Sequence, residues 1–473
     1  MLVLALESST SSAKALLYDN EKGIVGAVQK TYGALNQEGR TDTEGVYELT
    51  AALGKQLARG REIAAVALCG TWHGLSVLSE NMLPVTPTFS WNFTDTAPVC
   101  DEILKDGQMT ERFYENTGCM PHNTYPRHVL TYLKNQGFPL AGKRMATQGG
   151  YNFFRLTGEF LETCCTQSGS GLLNLQKLDY DDFVLDYLGI RREQLGTLCS
   201  YKDVRPLTKE GAEMLGIRPG IPVVPAHADG ALNQVGSYAN RKGVMTMSVG
   251  TSGAIRMTAE RPVLPKGHQL WCYRGVDHYI SGAAVAGACS CIDWFVKKFL
   301  GGKADYDTLE AGQIPGKKVP VFLPFILGER CPGWRGERRG GFRYVDGTHT
   351  VFDFYRAVQM GVLFNLYQCY ETLCRENGAP EEILVSGGIG NSARWIQMAA
   401  DIFGHDILVA DFPSASCMGA AALALHAAGV LKNIDEFKAD YESARPVNCR
   451  QENRMYYLEH YERYLTAYKE DKQ

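Results

Sequence analysis

Two hydroxyl-rich turns, separated by about half of the chain, are the first candidates for chemistry. The first lies in LALESSTSSAKALLYD (residues 4–19), where Glu7 ends an apolar strand and Thr10, Ser11 and Ser12 follow. A turn formed only for stability would be expected to use Gly, Asn or Asp. The hydroxyls therefore favour a turn that contacts a ligand.

The second turn repeats this pattern in MTMSVGTSGAIRMTA (residues 245–259), where Thr251 and Ser252 align with Thr10 and Ser11. Two such hairpins facing each other across a cleft would present backbone N–H groups and hydroxyls to one polyanion. The alternative, an ordinary strand-turn-strand with no ligand, is equally consistent with the pattern.

An acid follows another buried strand in PAHADGALNQVG, where Asp229 precedes Gly230. A carboxylate on a strand-to-helix turn near the second hairpin is placed to accept a proton from a substrate hydroxyl. Asp-Gly is also a common plain turn, so this alternative stays open.

The strand in CGTWHGL ends at Trp72, His73 and Gly74. An aromatic ring and an imidazole at a strand end suit a polyol or sugar, which stacks on one face and exchanges hydrogen bonds with its hydroxyls. A structural histidine explains the residues equally well.

A glycine turn follows an apolar strand in EILVSGGIGNSARWIQMAADIFG (residues 382–404), and Asn391 or Ser392 is expected to cap a helix that ends at Gly404. The backbone there can approach a ligand closely, at a helix N-terminus with partial positive charge. This arrangement predicts a nucleotide site.

The same glycines also fit a dehydrogenase fingerprint, because Gly388, Gly390 and Ala393 form GxGxxA and Asp411 ends the next strand. Too few residues follow Asp411 to complete a six-stranded dinucleotide fold, and both hydroxyl-rich turns would remain unexplained. There is no P-loop motif in the sequence.

The elements that must position these residues alternate between strands and helices, which predicts the α/β class. A polar, glycine-bounded stretch near residues 237–242 suggests division into a first domain of residues 1–238 and a second of 239–445. The last helical stretch, within 446–473, is expected to pack back on the first domain.

The composition limits the classes of binding partner that are expected. The 473 residues carry a formal charge of −4 with both signs mixed, which gives no reason to expect nucleic acid or an anionic membrane. No membrane span or signal peptide is predicted, so a cytoplasmic protein with reduced thiols at its 14 cysteines is expected. A small-molecule ligand is favoured, and a homodimer is left open.

Taken together, the segments resemble the FGGY carbohydrate kinases, and among them the gluconokinase branch. Nine short segments carry the resemblance in the same order: TSSAKALLYD, TWHGL, TQSGSGLLNLQKLDYDD, HADGALNQVGSYA, SVGTSGAIR, LPFILGERCPGW, RAVQMGVLFNLY, GGIGNSARWIQMAADIFG and ASCMGAAALAL. The resemblance implies two actin-like (ribonuclease H-like) ATPase domains around a central cleft. It also implies transfer of the γ-phosphoryl group of ATP to a hydroxyl of a sugar or sugar acid, with Mg²⁺.

By motif position, the resemblance makes Asp229 the general base. Trp72, His73, Gly74 and Asp229 would bind the sugar. Glu7 and Asp229 would lie at the metal. The residues implied to bind ATP are Thr10, Ser11, Ser12, Lys14, Gly250, Thr251, Ser252, Gly388, Asn391 and Ser392.

The sequence departs from the family where relatives read Asp-x-Gly-Thr, since Glu7 lengthens the acid and Ser9 replaces a glycine. Gluconate is the first candidate substrate. The alternatives are a kinase of another ketose or polyol, such as xylulose, and a sugar- and nucleotide-binding protein with weak or no catalysis because of Glu7 and Ser9.

Overall fold

The computed structural model describes residues 1–410, 414–438 and 444–470. Its first half is organised by a six-stranded sheet in the order β5-β6-β4-β1-β2-β3. The strands are β1 Leu2–Ser8, β2 Ser12–Asp19, β3 Gly23–Thr31, β4 Ile63–Gly70, β5 Arg205–Pro206 and β6 Pro222–Ala228. β1 to β3 form an antiparallel meander, while β4 runs parallel to β1 and β6 parallel to β4.

The second half repeats this arrangement in a seven-stranded sheet, ordered β9-β10-β8-β7-β11-β12-β13. The strands are β7 Val244–Val249, β8 Gly253–Ala259, β9 Trp271–Arg274, β10 Tyr279–Val285, β11 Glu382–Ser386, β12 Ile407–Val409 and β13 Arg445–Val447. β7 pairs antiparallel with β8 and parallel with β11, as β1 does with β2 and β4. The similarity of the two turns thus extends to the topology of the sheets around them.

Helices cover the faces of both sheets, so the α/β class is confirmed. They are α1 Thr43–Ala58, α2 Ala97–Leu104, α3 Gly107–Thr117, α4 Pro126–Asn135, α5 Gln148–Thr157, α6 Cys164–Ser168, α7 Asp182–Leu188, α8 Lys209–Leu215, α9 Asp229–Gly236, α10 Cys289–Phe299, α11 Tyr306–Ala311, α12 Val351–Asn377, α13 Ala393–Phe403, α14 Ala415–Ala427 and α15 Gln451–Glu470.

Smaller pieces complete the backbone. Short strand pairs join Ser76–Leu78 to Arg144–Ala146, Leu161–Thr163 to Thr197–Cys199, Leu173–Asn174 to Asp179–Tyr180, and Val321–Leu323 to Gly341–Arg343. A three-stranded sheet contains Asn36–Gln37, Arg40–Thr41 and Thr88–Phe89, and 3₁₀ turns span Gly33–Leu35, Arg192–Gln194, Gly388–Asn391 and Ile434–Glu436.

Helix α14 connects the two halves, because it lies between β12 and β13 of the second sheet in the chain but packs against β1, β4 and α9 of the first half. Small side chains permit a close approach: a Cβ on Gly419 would lie 2.1 Å from the carbonyl oxygen of Leu232, and one on Gly236 would lie 1.9 Å from that of Ala415. α9 and α14 therefore pack backbone to backbone at these glycines.

Gly419→Ala is accordingly expected to lower the free energy of unfolding by about 2 kcal/mol or more, because backbone atoms must move to admit the methyl group. Gly107→Ala is the matched control, since a Cβ there meets nothing within 4 Å. Urea unfolding of both variants checks this. Equal midpoints for the two variants would contradict the close packing.

The C-terminal helix does not pack on the first half, as the sequence predicted, but on the second. α15 packs on α12, α13 and the strand Val321–Leu323, all in the second half, whereas the first half is contacted by α14. The reason is a tyrosine-rich stripe: Tyr457, Tyr461, Tyr464 and Tyr468 are buried in the core of the second half. In the described part of the chain, no helix is both long and apolar enough to cross a membrane.

Candidate active site

A cleft of about 560 Å³ lies between the two sheets and gathers side chains from both halves. Of the residues predicted to form the site, seven line the cleft: Glu7, Thr10, Lys14, Trp72, His73, Asp229 and Ser252. Ser11, Ser12, Gly74, Gly250 and Thr251 lie close to these in sequence but outside the lining, and Gly388, Asn391 and Ser392 line a neighbouring pocket.

The first turn is fixed by its own hydroxyls. The N–H and Oγ of Ser9 donate to the carbonyl oxygen of Ser12 at 3.0 and 2.8 Å. The Ser12 hydroxyl is buried and accepts from Gln29 Nε2 at 3.2 Å, while Ser11 is exposed at the tip. Thr10 Oγ1 accepts from Trp91 Nε1 at 2.9 Å. Ser9 and Ser12 thus shape the turn, and Thr10 faces the cleft.

The second turn holds the start of α10. The carbonyl oxygen of Gly250 accepts from Cys289 N–H at 2.7 Å, and that of Thr251 accepts from Ser290 N–H at 3.2 Å. Gly387, which follows β11, has φ = 95° and a Cβ there would lie 2.6 Å from the carbonyl oxygen of Val249. Only glycine fits this backbone crossing next to the turn.

Glu7 is 2% exposed, and both of its carboxylate oxygens have partners. Oε1 accepts from Lys14 Nζ at 2.9 Å, while Oε2 accepts from Ser416 Oγ at 2.6 Å and from Cys417 Sγ at 3.0 Å. Burial alone would lower the pKa of Lys14, but the adjacent Glu7 carboxylate raises it above its usual value. Glu7 therefore connects β1 to the first turn of α14.

Asp229 begins α9 at the end of β6 and is partly buried. Burial, and then the negative charge of Glu7, raise the pKa of Asp229 to about 6. Its Oδ1 accepts from the Gly230 N–H at 2.7 Å, whereas Oδ2 has no hydrogen-bond partner among the described residues. A Cβ on Gly230 would lie 2.2 Å from the Trp72 ring, so this glycine lets the indole pack beside the acid.

Aromatic rings form one wall of the cleft. Trp271 and Tyr273, two residues apart on β9, stack with centroids 4.4 Å apart, and Trp72 and His73 lie 4.9 and 5.5 Å from the Tyr273 ring. His73 Nδ1 is 2.6 Å from the Gly169 carbonyl oxygen, so it donates and Nε2 is left as an acceptor. Burial lowers the pKa of His73 to about 3, which keeps the ring neutral.

Two arginines, Arg256 and Arg330, also line the cleft, and the sequence reasoning missed both. The Nε of each is buried without a hydrogen-bond partner among the described residues, and neither forms an ion pair there. Burial lowers the pKa of Arg256, although Asp229 opposes this. The sequence did contain a signal for Arg256, which is the one charged residue in the mainly apolar strand GAIRMTA.

The loop that carries Arg330 is anchored by a buried ion pair. Glu329 Oε2 accepts from Arg338 Nη1 at 3.0 Å, with both side chains at most 1% exposed. Tyr468, in the last turn of α15, donates its hydroxyl to Glu329 Oε1 at 2.6 Å and accepts from Arg338 Nη2 at its carbonyl oxygen. The C-terminal helix thus fixes the residue preceding Arg330.

The neighbouring pocket, about 320 Å³, lies between α10, α11, α12 and α13. Ser392 caps α13, accepting from Trp395 N–H at 2.9 Å and donating to Glu310 Oε1 at 2.5 Å, and the helix ends at Gly404 as predicted. Gly387 lines the cleft and Gly388 the pocket, so the two spaces adjoin. Tyr306, Tyr355 and Trp395 supply aromatic surface for a planar group.

The dehydrogenase alternative is wrong, because the sheet beside this pocket is mixed and contains the antiparallel pair β7 and β8. Asp411 lies outside the described residues.

Metal ligands are few. Among the described residues, no three His, Cys, Asp or Glu side chains form a cluster suited to a metal ion. Glu7 and Asp229 are the carboxylates of the cleft. One or two carboxylates fit Mg²⁺ that arrives bound to phosphates and keeps several waters.

Comparisons with known proteins cover nearly the whole chain. The N-terminal domain model of the FGGY family of carbohydrate kinases matches residues 2–236, and the C-terminal domain model matches 245–428. A gluconokinase from Bacillus subtilis is 28% identical over 457 residues, covering 92% of this chain and 89% of the relative.

Solved structures agree with this. A xylulose kinase from Lactobacillus acidophilus, described as ligand-bound, superimposes with a TM-score of 0.92 at 25% identity, over 98% of this chain and 97% of that one. A gluconate kinase from the same organism also gives 0.92 at 25% identity, over 99% and 98%.

Proposed function

The chain belongs to the FGGY family of carbohydrate kinases, ATP-dependent phosphotransferases with an alcohol acceptor, and we propose that its acceptor is a sugar acid, with gluconate the first candidate. The observation that carries this proposal is the pair of arginines in the cleft, Arg256 and Arg330. Relatives that bear the names gluconokinase and xylulose kinase are both similar to the chain, so the side chains of the cleft must decide between them.

The arginines favour an anionic acceptor because their buried Nε–H groups need a hydrogen-bond acceptor that the described residues do not supply. A carboxylate matches the planar fork of a guanidinium and neutralises it in a low-dielectric cleft. A neutral ketose such as xylulose would leave both guanidinium groups without an ion-pair partner.

The other cleft residues suit phosphoryl transfer to a hydroxyl. Asp229 accepts the proton of the acceptor hydroxyl at Oδ2, the hydroxyl oxygen bonds to the γ-phosphorus, and the bond from that phosphorus to the ADP oxygen breaks. The apolar faces of Trp72, Trp271 and Tyr273 pack on the sugar, and His73 Nε2 accepts from one of its hydroxyls.

Both turns would contact the phosphates, Thr10 and Lys14 from the first half and Ser252 from the second. The adenosine would occupy the pocket bordered by Gly388, Asn391 and Ser392. Mg²⁺ bound with ATP would supply charge neutralisation, and Glu7 and Asp229 are the carboxylates that would hold it. In this proposal residues 1–238 bind the sugar and residues 239–445 bind ATP.

Tyr468→Phe is expected to raise KM for the acceptor about tenfold, because losing a hydrogen bond to the buried Glu329 carboxylate frees the loop that carries Arg330. KM for ATP should stay unchanged. Tyr464→Phe is the matched control, since that buried hydroxyl has no hydrogen-bond partner in the described chain. Equal acceptor KM values in steady-state assays of both variants would contradict the anchoring role.

A second candidate, a sugar- and nucleotide-binding protein with weak catalysis, is favoured by one observation. Both oxygens of Glu7 are taken by Lys14, Ser416 and Cys417, which leaves less capacity for a metal-bound water. Stabilisation of the fold by ATP, without turnover of any acceptor, would support this second candidate. The double substitution Glu7→Asp with Ser9→Gly would then be expected to recover activity.

The test of the main proposal is ADP release with ATP and Mg²⁺ across gluconate, other sugar acids, glucitol, glycerol and xylulose. Sugar acids are expected to give the highest kcat/KM. Preferred turnover of a neutral acceptor would overturn the assignment of an anionic substrate while leaving the kinase family intact.

A further inference from the structure

A second large groove, about 920 Å³, lies in the second half, away from the cleft between the sheets. Helices α12, α13 and α15 border it, with residues 313–316 and 445–450 at its edges. None of its lining residues lines the catalytic cleft or the adenosine pocket.

The groove is strongly basic. Two acids line it, Asp401 and Glu452, against four arginines, which leaves an excess of two positive charges. The arginines are Arg356, Arg394, Arg445 and Arg450. None of the four forms an ion pair with another described residue. Asp401 forms no ion pair with these arginines, because its oxygens accept from Gln397 Nε2, Asn453 Nδ2 and the backbone N–H of Arg450, each at 2.8 Å.

Arg356 shows that the basic surface is built into the fold. It is only 7% exposed, its Nη1 donates to the carbonyl oxygen of Ile314 at 2.7 Å, and its guanidinium lies 4.7 Å from the centre of the Tyr456 ring. These contacts orient the side chain, while its buried Nε–H has no partner in the described chain. A buried N–H without a partner needs a hydrogen-bond acceptor, and in a groove lined by three further arginines an anionic acceptor is favoured.

We propose that this groove binds a phosphate monoester of a small polyol, that is, a sugar phosphate, as an effector. The excess of two positive charges matches the phosphate dianion, and guanidinium groups recognise phosphate bidentately. Gln313, Asn448 and Asn453 line the same groove. The amide nitrogens of Gln313 and Asn453 donate to Gln359 and Asp401, which leaves their amide oxygens as acceptors for polyol hydroxyls.

The groove is coupled to the adenosine pocket through α13. Arg394 donates from Nη1 to the carbonyl oxygen of Glu310, and Glu310 accepts from Ser392 at its carboxylate. Glu310 and Ser392 both line the adenosine pocket. A phosphate that draws Arg394 into the groove weakens its bond to Glu310, so the bound effector lowers the affinity for ATP, and ATP lowers the affinity for the effector.

The binding test uses the full chain with glucose 6-phosphate, inorganic phosphate and glucose as calorimetric probes. Glucose 6-phosphate is expected to bind at least about tenfold more tightly than glucose, with inorganic phosphate between them, because the charge contributes most. In the double variant Arg445→Met with Arg450→Met, which changes two exposed side chains, affinity for glucose 6-phosphate should fall about tenfold or more. Arg59→Met with Arg61→Met is the matched control and should bind as the wild type does.

The coupling test measures the affinity of a non-hydrolysable ATP analogue with and without saturating glucose 6-phosphate, expecting a loss of about fivefold or more in the wild type and none in the Arg445/Arg450 double variant. Absence of glucose 6-phosphate binding, or equal binding in the wild type and that double variant, would overturn the groove as its site. Unchanged affinity for the ATP analogue would overturn the coupling. Neither binding measurement depends on turnover. A failure of the effector proposal can therefore be distinguished from a failure of the proposed acceptor.

Discussion

Asp229→Asn is expected to lower kcat about 1,000-fold, because the amide cannot accept the proton of the attacking hydroxyl. Substrate binding should survive, since an amide has nearly the shape of a carboxyl group. Steady-state ADP release and binding of an ATP analogue by calorimetry measure the two effects separately. Asp101→Asn, at an exposed position on α2, is the control.

The same acid sets the expected pH dependence. Because the pKa of Asp229 is raised to about 6, the base is charged at pH 7 and becomes protonated as the pH falls through 6. The kcat/KM of the wild type should therefore fall about tenfold per unit below pH 6, and the Asn variant should lose this limb. Turnover by Asp229→Asn at the wild-type rate, with the acid limb intact, would contradict the assignment of the base.

Arg256→Met is expected to lower kcat/KM for gluconate about 100-fold and to leave neutral polyols unaffected. Removing the guanidinium leaves the substrate carboxylate desolvated and short of one cation, which costs about 3 kcal/mol. Steady-state kinetics with gluconate and glucitol measure the effect. Arg256→Lys keeps the charge but loses the planar fork of the guanidinium. Its kcat/KM for gluconate should therefore lie between those of the wild type and the Met variant.

Equal losses for gluconate and glucitol in Arg256→Met would contradict a carboxylate contact, because a purely structural arginine affects both acceptors alike. Arg330→Met provides an independent repeat, because Arg330 lies on a loop whereas Arg256 lies on β8. If both single variants discriminate against gluconate, the double variant should do so more strongly.

The sequence predicted the family and the fold well, because each relevant signal is local. Both domain models of the FGGY family match, so the resemblance drawn from nine short segments is confirmed, as are the two actin-like domains. The cap at Ser392 and the stop at Gly404 follow from single residue types at fixed spacing.

What remained hidden depends on contacts between distant segments. Glu7 obtains two of its partners, Ser416 and Cys417, from a helix more than 400 residues later in the chain. The placement of α15 was also hidden. The spacing of its tyrosines predicts a buried helix face, but the spacing would be the same whether that face packed on the first half or on the second. The specific roles of the predicted site residues stay predictions until they are measured.

Arg256 and Arg330 illustrate the same limit. Arg330 lies far from Trp72 and Asp229 in sequence, Arg256 lies one hairpin after Asp229, and the packing of the two halves brings all four residues to one cleft. The charge that we use to choose the substrate class therefore arises from the tertiary structure.

The most direct measurement is a competition in one reaction, with equal concentrations of gluconate, glucitol and xylulose, ATP and Mg²⁺, followed by mass spectrometry of the phosphorylated products. At early times the product ratio equals the ratio of kcat/KM values. We expect phosphorylated gluconate in about 100-fold excess over either neutral product. Phosphorylated xylulose or glucitol as the main product would contradict an anionic acceptor bound by Arg256 and Arg330.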